Sequence, residues 1–125
     1  MDAGSGRVER VHLTDVDLGE SKLRGVEFVD VIAERVDAAN GDWGGAQVRR
    51  TLFQGASIKA TVFSRCKLVE ADFSKADMSL VDLRGSELRL AGSVLGLRGA
   101  IIDPLQLMEL SGTLAQELGI TVEDV

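Results

Sequence analysis

The fold of this chain is decided by residues 71–85, which read in blocks of five as ADFSK, ADMSL and VDLRG. Each block places a small or β-branched residue first and an apolar residue third. The same phase runs from Leu13 to Leu88, where sixteen positions at intervals of five are all apolar. The residues two positions before them are all small or β-branched. The chain therefore carries an internal five-residue repeat, which is typical of stacked, repetitive architectures.

A period of five excludes the ordinary elements. On an α-helix, successive apolar residues of the set would point about 140° apart and smear around the axis. On a flat strand, an odd step moves each one to the opposite face. A chain that turns a corner every five residues keeps both marked positions inside, and its stacked coils share one core. Glycines at positions 25, 45, 55 and 85 follow the apolar residue by two, where a corner needs a permissive backbone.

These blocks resemble the A-(D/N)-(L/F)-x-x motif of the pentapeptide repeat proteins, from about Val11 to Leu90 without a slip. The resemblance implies the family fold, an all-β solenoid that winds as a right-handed quadrilateral β-helix with four pentapeptides per coil. About eighty residues then form about four coils, stacked at about 4.8 Å. The sequence departs from the motif at residues 31–33 and 40–45.

The second departure contains Trp43, the only tryptophan in the chain. Four sides per coil place residues ten apart on opposite walls, so Ala33 faces Trp43. In the same way Ala38 faces Phe28, and each undersized residue opposes an aromatic one. We therefore predict that Trp43 lies in the core, fitted by Gly41 and Ala33. The alternative is an exposed tryptophan that grips a partner.

An open β-helix needs a cap at each end. Residues 1–10 are predicted to form an N-terminal tail or cap, in which Val8 begins a partial coil. Residues 11–102 are assigned to the pentapeptide-repeat β-helix, and residues 103–125 to a C-terminal helical cap and tail. The phase falters at Ser93 and resumes one residue early.

The C-terminal segment is predicted to be helical. Asp103 and Pro104 are typical of a helix N-cap and first residue, and Gly119 of a C-terminal stop. Residues 120–122 are expected to return as a short strand. This segment resembles the C-terminal ends of bacterial pentapeptide repeat proteins, which implies a cap and, in several relatives, a two-fold dimer. We predict a homodimer, with a cap alone as the alternative. The candidate contacts are the apolar residues of the helix: Leu105, Leu107, Met108, Leu110, Leu114 and Leu118.

The outward charges differ between the sides of the coil. The side whose inward residues are Leu18, Ala38, Ile58 and Met78 is called here the acidic side. It carries a net charge of −3, from four carboxylates against Lys59. Those four are the predicted partner-binding residues: Asp17, Glu20, Asp37 and Asp77. A plain solubilising surface is the alternative interpretation.

The predicted function is that of a non-catalytic rod that binds another protein along its outer walls. The resemblance implies a sharper version, because some pentapeptide repeat proteins mimic B-DNA, occupy the DNA-binding saddle of DNA gyrase and protect it from quinolones or similar poisons. A generic repeat scaffold with another partner remains the alternative, as does a stand-alone fragment or an engineered stack.

Composition excludes several other classes. A net charge of −6 argues against direct nucleic-acid binding, and one cysteine excludes a disulfide framework. His12 points outward while Cys66 points inward, so neither a metal site nor a Cys–His nucleophile is expected. We predict no enzyme activity, no cofactor and no membrane contact. The N-terminus lacks the pattern of a signal peptide, so the expected location is the cytoplasm.

Overall fold

The structure is a computed structural model that describes residues 6–125. Over these residues the chain forms a parallel β-solenoid of about four turns, followed by one α-helix. The strands are β1 (Arg7–Glu9), β2 (His12–Thr14), β3 (Glu27–Val29), β4 (Ile32–Glu34), β5 (Gln47–Arg49), β6 (Leu52–Ser57), β7 (Lys67–Asp77) and β8 (Glu87–Ala91). A 3₁₀ turn, Val94–Leu97, and helix α1, Pro104–Glu117, complete the described elements.

Most of the stack repeats every twenty residues, and the last bridges, Asp72 to Ala91 and Asp82 to Ile101, span nineteen. The register pairs Phe28 with Val48 and Val48 with Leu68, always in parallel. Single bridges on the acidic side follow the same spacing and join Asp17 to Asp37. Four blocks of five therefore complete one turn, and the quadrilateral β-helix that the repeat predicts is confirmed. Part of the predicted N-terminal tail, residues 1–5, lies outside the described residues, but Val8 does begin a partial coil in β1.

The apolar residues of the repeat fill the inside of the stack. Phe63, Leu68 and Ile58 are fully buried, and Trp43 is only 2% exposed, so its predicted place in the core is confirmed. Its ring stacks on Phe28 with centroids 5.0 Å apart and tilts against Phe63 at 5.1 Å. Aromatic residues of neighbouring coils therefore run as a contacting series along the core.

Gly41 makes room for this tryptophan. A methyl group at Gly41 would lie 3.0 Å from Nε1 of Trp43 and 3.1 Å from the carbonyl oxygen of Ser21. A side chain at this position would therefore be packed tightly, and the indole or the coil before it would have to shift by a few tenths of an ångström. The departure from the motif at residues 40–45 is thus a packing adjustment.

The corners of the coil adopt left-handed backbone conformations. Gly45 has φ 72°, as its place two residues after an apolar position predicts. Arg35 and Arg50, which are not glycines, have φ 52° and 47° at equivalent corners. Each guanidinium reaches a carboxylate twenty residues earlier, Arg35 to Asp15 at 2.8 Å and Arg50 to Asp30 at 2.6 Å. Ion pairs at these corners thus connect adjacent coils.

Helix α1 closes the C-terminal end of the β-helix. Asp103 is its N-cap, and the Asp103 carboxylate accepts the backbone N–H of Gln106 at 2.9 Å. The side chain of Gln106 is 3% exposed, and its Nε2 donates to the carbonyl oxygens of Leu83 at 2.6 Å and Ser86 at 2.8 Å. An amide from outside the repeat therefore satisfies carbonyls of the last full coil.

The far end of α1 is also fastened. The carboxylate of Glu117 accepts the backbone N–H of Val94 at 3.1 Å and the hydroxyl of Ser93 at 2.9 Å. The helix ends before Gly119, as predicted, but the chain forms no strand at residues 120–122 in the described structure, so that expectation is wrong. The backbone N–H of Ile120 instead donates to the carbonyl of Ala115, which ends the helix without a return to the sheet. In the described part of the chain, none of the helices has the length and apolar character needed to span a lipid bilayer.

Candidate protein-binding surfaces

The acidic side presents its carboxylates in one column. Asp17, Asp37 and Asp77 occupy equivalent positions of successive coils, and Ser57 interrupts the series between the last two. All three aspartates are exposed. Because the backbone register fixes the column, the charges stand at multiples of the coil spacing, about 4.8 Å. Glu20 lies at the corner of the first coil with φ 59°.

These aspartates also have a local structural role. The carboxylates of Asp17 and Asp37 accept the backbone N–H two residues on, at 2.8 and 3.0 Å. Asp77 accepts both the hydroxyl of Ser79 at 2.6 Å and its N–H at 3.0 Å. Both hydrogen bonds lower the pKa of Asp77 below its ordinary value, and the bond from the Ser79 hydroxyl has the larger effect. The repeated aspartate therefore stabilises its own turn, as Asx turns do.

The side that follows the acidic side along the chain has the opposite charge balance. Its inward residues are Leu23, Trp43, Phe63 and Leu83, and it is called here the basic side. It carries four basic groups against two carboxylates, a net of +2. Its outward charges are Lys22, Arg24, Asp42, Arg65, Asp82 and Arg84. An acidic and a basic wall thus meet at one corner of the rod.

The predicted dimer residues divide into two groups. Leu110 is 7% exposed and Leu114 is half-buried, and both pack against the last coil of their own chain. Both residues are therefore already used in the contact between α1 and the last coil. The other four, Leu105, Leu107, Met108 and Leu118, are exposed by 51 to 72%. These four form the surface of α1 that stays available to a partner.

Each end of the β-helix also has an apolar cleft. At the C-terminal end a cleft of about 330 Å³ lies between α1 and the 3₁₀ turn, lined by Val94, Leu97 and Leu110 among others. At the N-terminal end a cleft of about 360 Å³ opens into the first coil, with Leu18 and Leu23 in its wall. Neither brings together a set of titratable side chains.

The candidate chemical residues lie apart. His12 is exposed, and its Nε2 lies 2.9 Å from Oε2 of Glu34. Cys66 is 2% exposed and its thiol donates to the carbonyl of Trp43 at 3.0 Å. Burial raises the pKa of the Cys66 thiol to about 11, so the reactive thiolate is disfavoured at neutral pH. Among residues 6–125, no group of three or more His, Cys, Asp and Glu side chains is placed to hold a metal ion.

Comparison with known families agrees with this architecture. Residues 46–85 match the family model of pentapeptide repeats, in eight copies. These copies coincide with the blocks that form the middle coils of the β-helix. Residues 46–85 therefore carry the five-residue repeat of that family. No curated protein matches it significantly.

Solved structures with related folds are distant. Rfr23, a pentapeptide repeat protein from the cyanobacterium Cyanothece 51142, shares 13% identity over 82% of this chain and 88% of its own, with a TM-score of 0.37. A trypsin-treated form of QnrB1, a plasmid-mediated fluoroquinolone resistance protein, shares 19% over 98% and 72%, with a TM-score of 0.35. A pentapeptide repeat protein from the thylakoid lumen of Arabidopsis thaliana shares 18% over 82% and 76%, with a TM-score of 0.32. At such scores the likeness carries no functional argument.

Proposed function

We propose that this protein is a non-catalytic scaffold in the cytoplasm, and that its acidic side binds a basic protein surface. The observation that carries the proposal is the column of exposed aspartates on a rigid parallel backbone. Asp17, Asp37 and Asp77 stand in one line, one and then two coil spacings apart. A row of carboxylates at fixed spacing complements lysine and arginine side chains and steers their approach.

DNA gyrase is the sharper candidate partner, because a DNA-binding saddle is a basic surface of this kind. The charge density sets a limit on mimicry of a duplex. A duplex as long as four coils carries roughly eleven negative charges, at one per 1.7 Å. Residues 11–92 carry thirteen carboxylates and eleven basic groups, a net of −2. The acidic side alone would therefore have to make the contact, and a generic scaffold with another basic partner is the competing candidate.

The first experiment tests gyrase directly. Supercoiling by DNA gyrase is measured with and without a quinolone in a large excess of the protein. We expect inhibition or protection that weakens steeply as salt is raised and that duplex DNA competes away. Supercoiling that stays unchanged in both conditions would exclude gyrase.

A matched pair of variants tests the acidic side. Asp37→Asn with Asp77→Asn removes two charges from the column but keeps an oxygen that can accept the turn N–H. The control, Asp42→Asn with Asp82→Asn, makes the same change on the basic side, where these aspartates hold equivalent turns. We expect the first pair to weaken binding of the partner and the control to preserve it. Equal binding by both pairs would overturn the assignment.

We also propose a homodimer that forms through the exposed residues of α1. Light scattering should give at least twice the 13.4 kDa chain mass at high micromolar concentration. Leu107→Glu with Met108→Glu should weaken this association, because each charge would be buried at the contact. The control is Leu80→Glu, an equally exposed leucine on the acidic side. A wild-type monomer under these conditions would contradict the dimer.

A further inference from the structure

Within residues 6–125, the N-terminal end of the β-helix has backbone groups without a backbone partner, and their pattern follows from the coil below. Asp37 donates its backbone N–H to the carbonyl of Val16 at 2.9 Å, and its own carbonyl accepts the N–H of Leu18 at 2.6 Å. Both polar groups of Asp37 therefore point toward the preceding coil. Asp17 holds the same position in the first coil. Its N–H and C=O point out of the end of the rod.

The basic side repeats this arrangement. Asp42 donates its N–H to the carbonyl of Ser21 at 3.0 Å and accepts the N–H of Leu23 at 2.8 Å. Lys22 occupies the equivalent position one coil earlier. Within residues 6–125, the backbone groups of Lys22 and Asp17 that point out of this end have no backbone partner. The first coil thus presents a strand edge on two adjacent sides.

A buried hydroxyl at the same end also has no hydrogen-bond partner among the described residues. In deeper coils, small inward residues donate to a carbonyl twenty-three positions earlier, Thr61 to Ala38 at 2.8 Å and Ser86 to Phe63 at 2.5 Å. Ser21 is equivalent to Thr61, is 1% exposed, and its Oγ is without a hydrogen bond in the described structure. The register therefore directs this hydroxyl toward the place of a preceding coil. For the buried Ser21 hydroxyl to be hydrogen-bonded, an acceptor would have to lie there.

The apolar cleft of about 360 Å³ opens at this end, lined by Leu13, Leu18, Leu23 and Phe28 among others. At the other end α1 packs over the last coil. The first coil therefore offers apolar area, strand edges and an unpaired hydroxyl together. Each of these features is satisfied by another β-coil stacked on it.

The charges of the first coil suit a second copy of this chain. A two-fold axis across the rod, through the corner between the acidic and basic sides, exchanges those two sides. The strands of the two copies then run antiparallel. Asp17 of each copy faces Lys22 of the other, twice, and both residues offer N–H and C=O to the junction. Opposite charges placed in this way attract across the junction, while β1 of each copy meets β2 of the other on the two remaining sides.

We propose that two copies of this protein pair through their N-terminal ends, with Asp17 and Lys22 as the reciprocal contact. The interface is separate from the one proposed on α1, and it shares Asp17 with the docking surface proposed for a basic partner. With both self-associating ends in use, the chains assemble into rods longer than a dimer. With the α1 contact removed, the N-terminal pair alone remains.

The experiment uses the full chain carrying Leu107→Glu and Met108→Glu, so that sedimentation reports the N-terminal contact only. In this background Asp17→Lys places two lysines opposite each other, and Lys22→Asp places two aspartates. We expect each single change to raise the dissociation constant of the pair by about tenfold or more. The exchange of both residues within one chain should restore pairing, and so should a mixture of the two single variants.

The control is Asp37→Lys, which removes the same turn bond one coil deeper, away from the junction. It should leave the dissociation constant unchanged. Circular dichroism confirms that each variant is folded. A second variant, Glu20→Gln, should tighten the pair, because the axis brings its two copies together at the corner. A monomer in the α1-variant background, or folded single variants that pair as tightly as their parent, would overturn the proposal.

Discussion

At its C-terminal end the β-helix is closed by side chains that the repeat does not supply, whereas its first coil presents the repeat itself. Gln106 and Glu117 occupy the carbonyls and N–H groups that the last turns expose. At the first coil, within the described residues, Ser21 and the backbone of Lys22 lack such partners. A five-residue repeat therefore specifies how coils stack on one another. It does not specify how a stack ends.

The largest effect is expected from breaking the stack between the two ends. Phe63 is fully buried and contacts the ring of Trp43. Phe63→Asp would bury an unpaired charge in the middle of the core, so we expect the chain not to fold. Its neighbour Val62 is 40% exposed on the outer wall, and Val62→Asp should keep the native circular dichroism. A Phe63→Asp variant with an unchanged melting temperature would refute the inward phase of the repeat.

The next effect concerns the closed end. Gln106→Ala would leave the carbonyls of Leu83 and Ser86 without the amide that now donates to them. Unpaired buried polar groups cost about 1–3 kcal/mol each, so we expect the free energy of unfolding in urea to fall by about that amount or more. Gln116→Ala on the exposed face of α1 is the matched control and should change it little. Equal losses of unfolding free energy from both changes would show that Gln106 does not stabilise the cap.

A smaller effect is expected from replacing a buried serine at each end of the β-helix. Ser86 donates to the carbonyl of Phe63 and accepts the N–H of Cys66 at 3.0 Å. Ser86→Ala is expected to lower the free energy of unfolding by about 1–3 kcal/mol, because two buried groups lose a partner. Ser21→Ala removes a hydroxyl that has no hydrogen-bond partner within residues 6–125, so it should leave stability unchanged or raise it. Both are measured at high dilution, and an equal loss at Ser21 would contradict the difference between the ends.

The inward phase of the repeat could be predicted from sequence because one period constrains the whole stack at once. The burial of Trp43 followed from the same register, since the position two residues earlier is a glycine. The start of α1 was visible in Asp103 and Pro104, whose preferences for N-cap and first turn are local. Features set by a repeat or by a cap are thus readable without any tertiary information.

Contacts outside the repeat were not readable in the same way. The sequence did not indicate which apolar residues of α1 face the last coil. In the structure these residues are Leu110 and Leu114. Gln106 was missed because a polar residue is ordinarily assigned to the surface. Its place three residues after Asp103 is the pattern of a capping box and was the available signal. The hydrogen bonds that the aspartates make within their turns were not predicted, because aspartate recurs throughout the repeat motif.

The smallest predicted effect is a pH dependence confined to the closed end. Asp103 accepts the N–H of Gln106, and the N–H of Gly85 donates to its other oxygen at 2.8 Å. These bonds hold the pKa of Asp103 below its ordinary value of 3.8. A carboxylate with a lowered folded pKa stabilises the native chain above the unfolded value, and the stabilisation is lost as the pH falls through the folded pKa.

Asp103→Asn keeps one acceptor and removes the charge, so it isolates this dependence. At pH 7 the variant should melt at a lower temperature than the wild type, because Asn offers one oxygen where Asp103 offers two. Below the folded pKa, the protonated aspartic acid resembles Asn, and the difference between the two melting temperatures should shrink toward zero. Asp124→Asn, in the tail beyond α1, is the control and should follow the wild type at every pH. A difference that stays constant from pH 7 to pH 3 would show that the charge of Asp103 does not stabilise the cap.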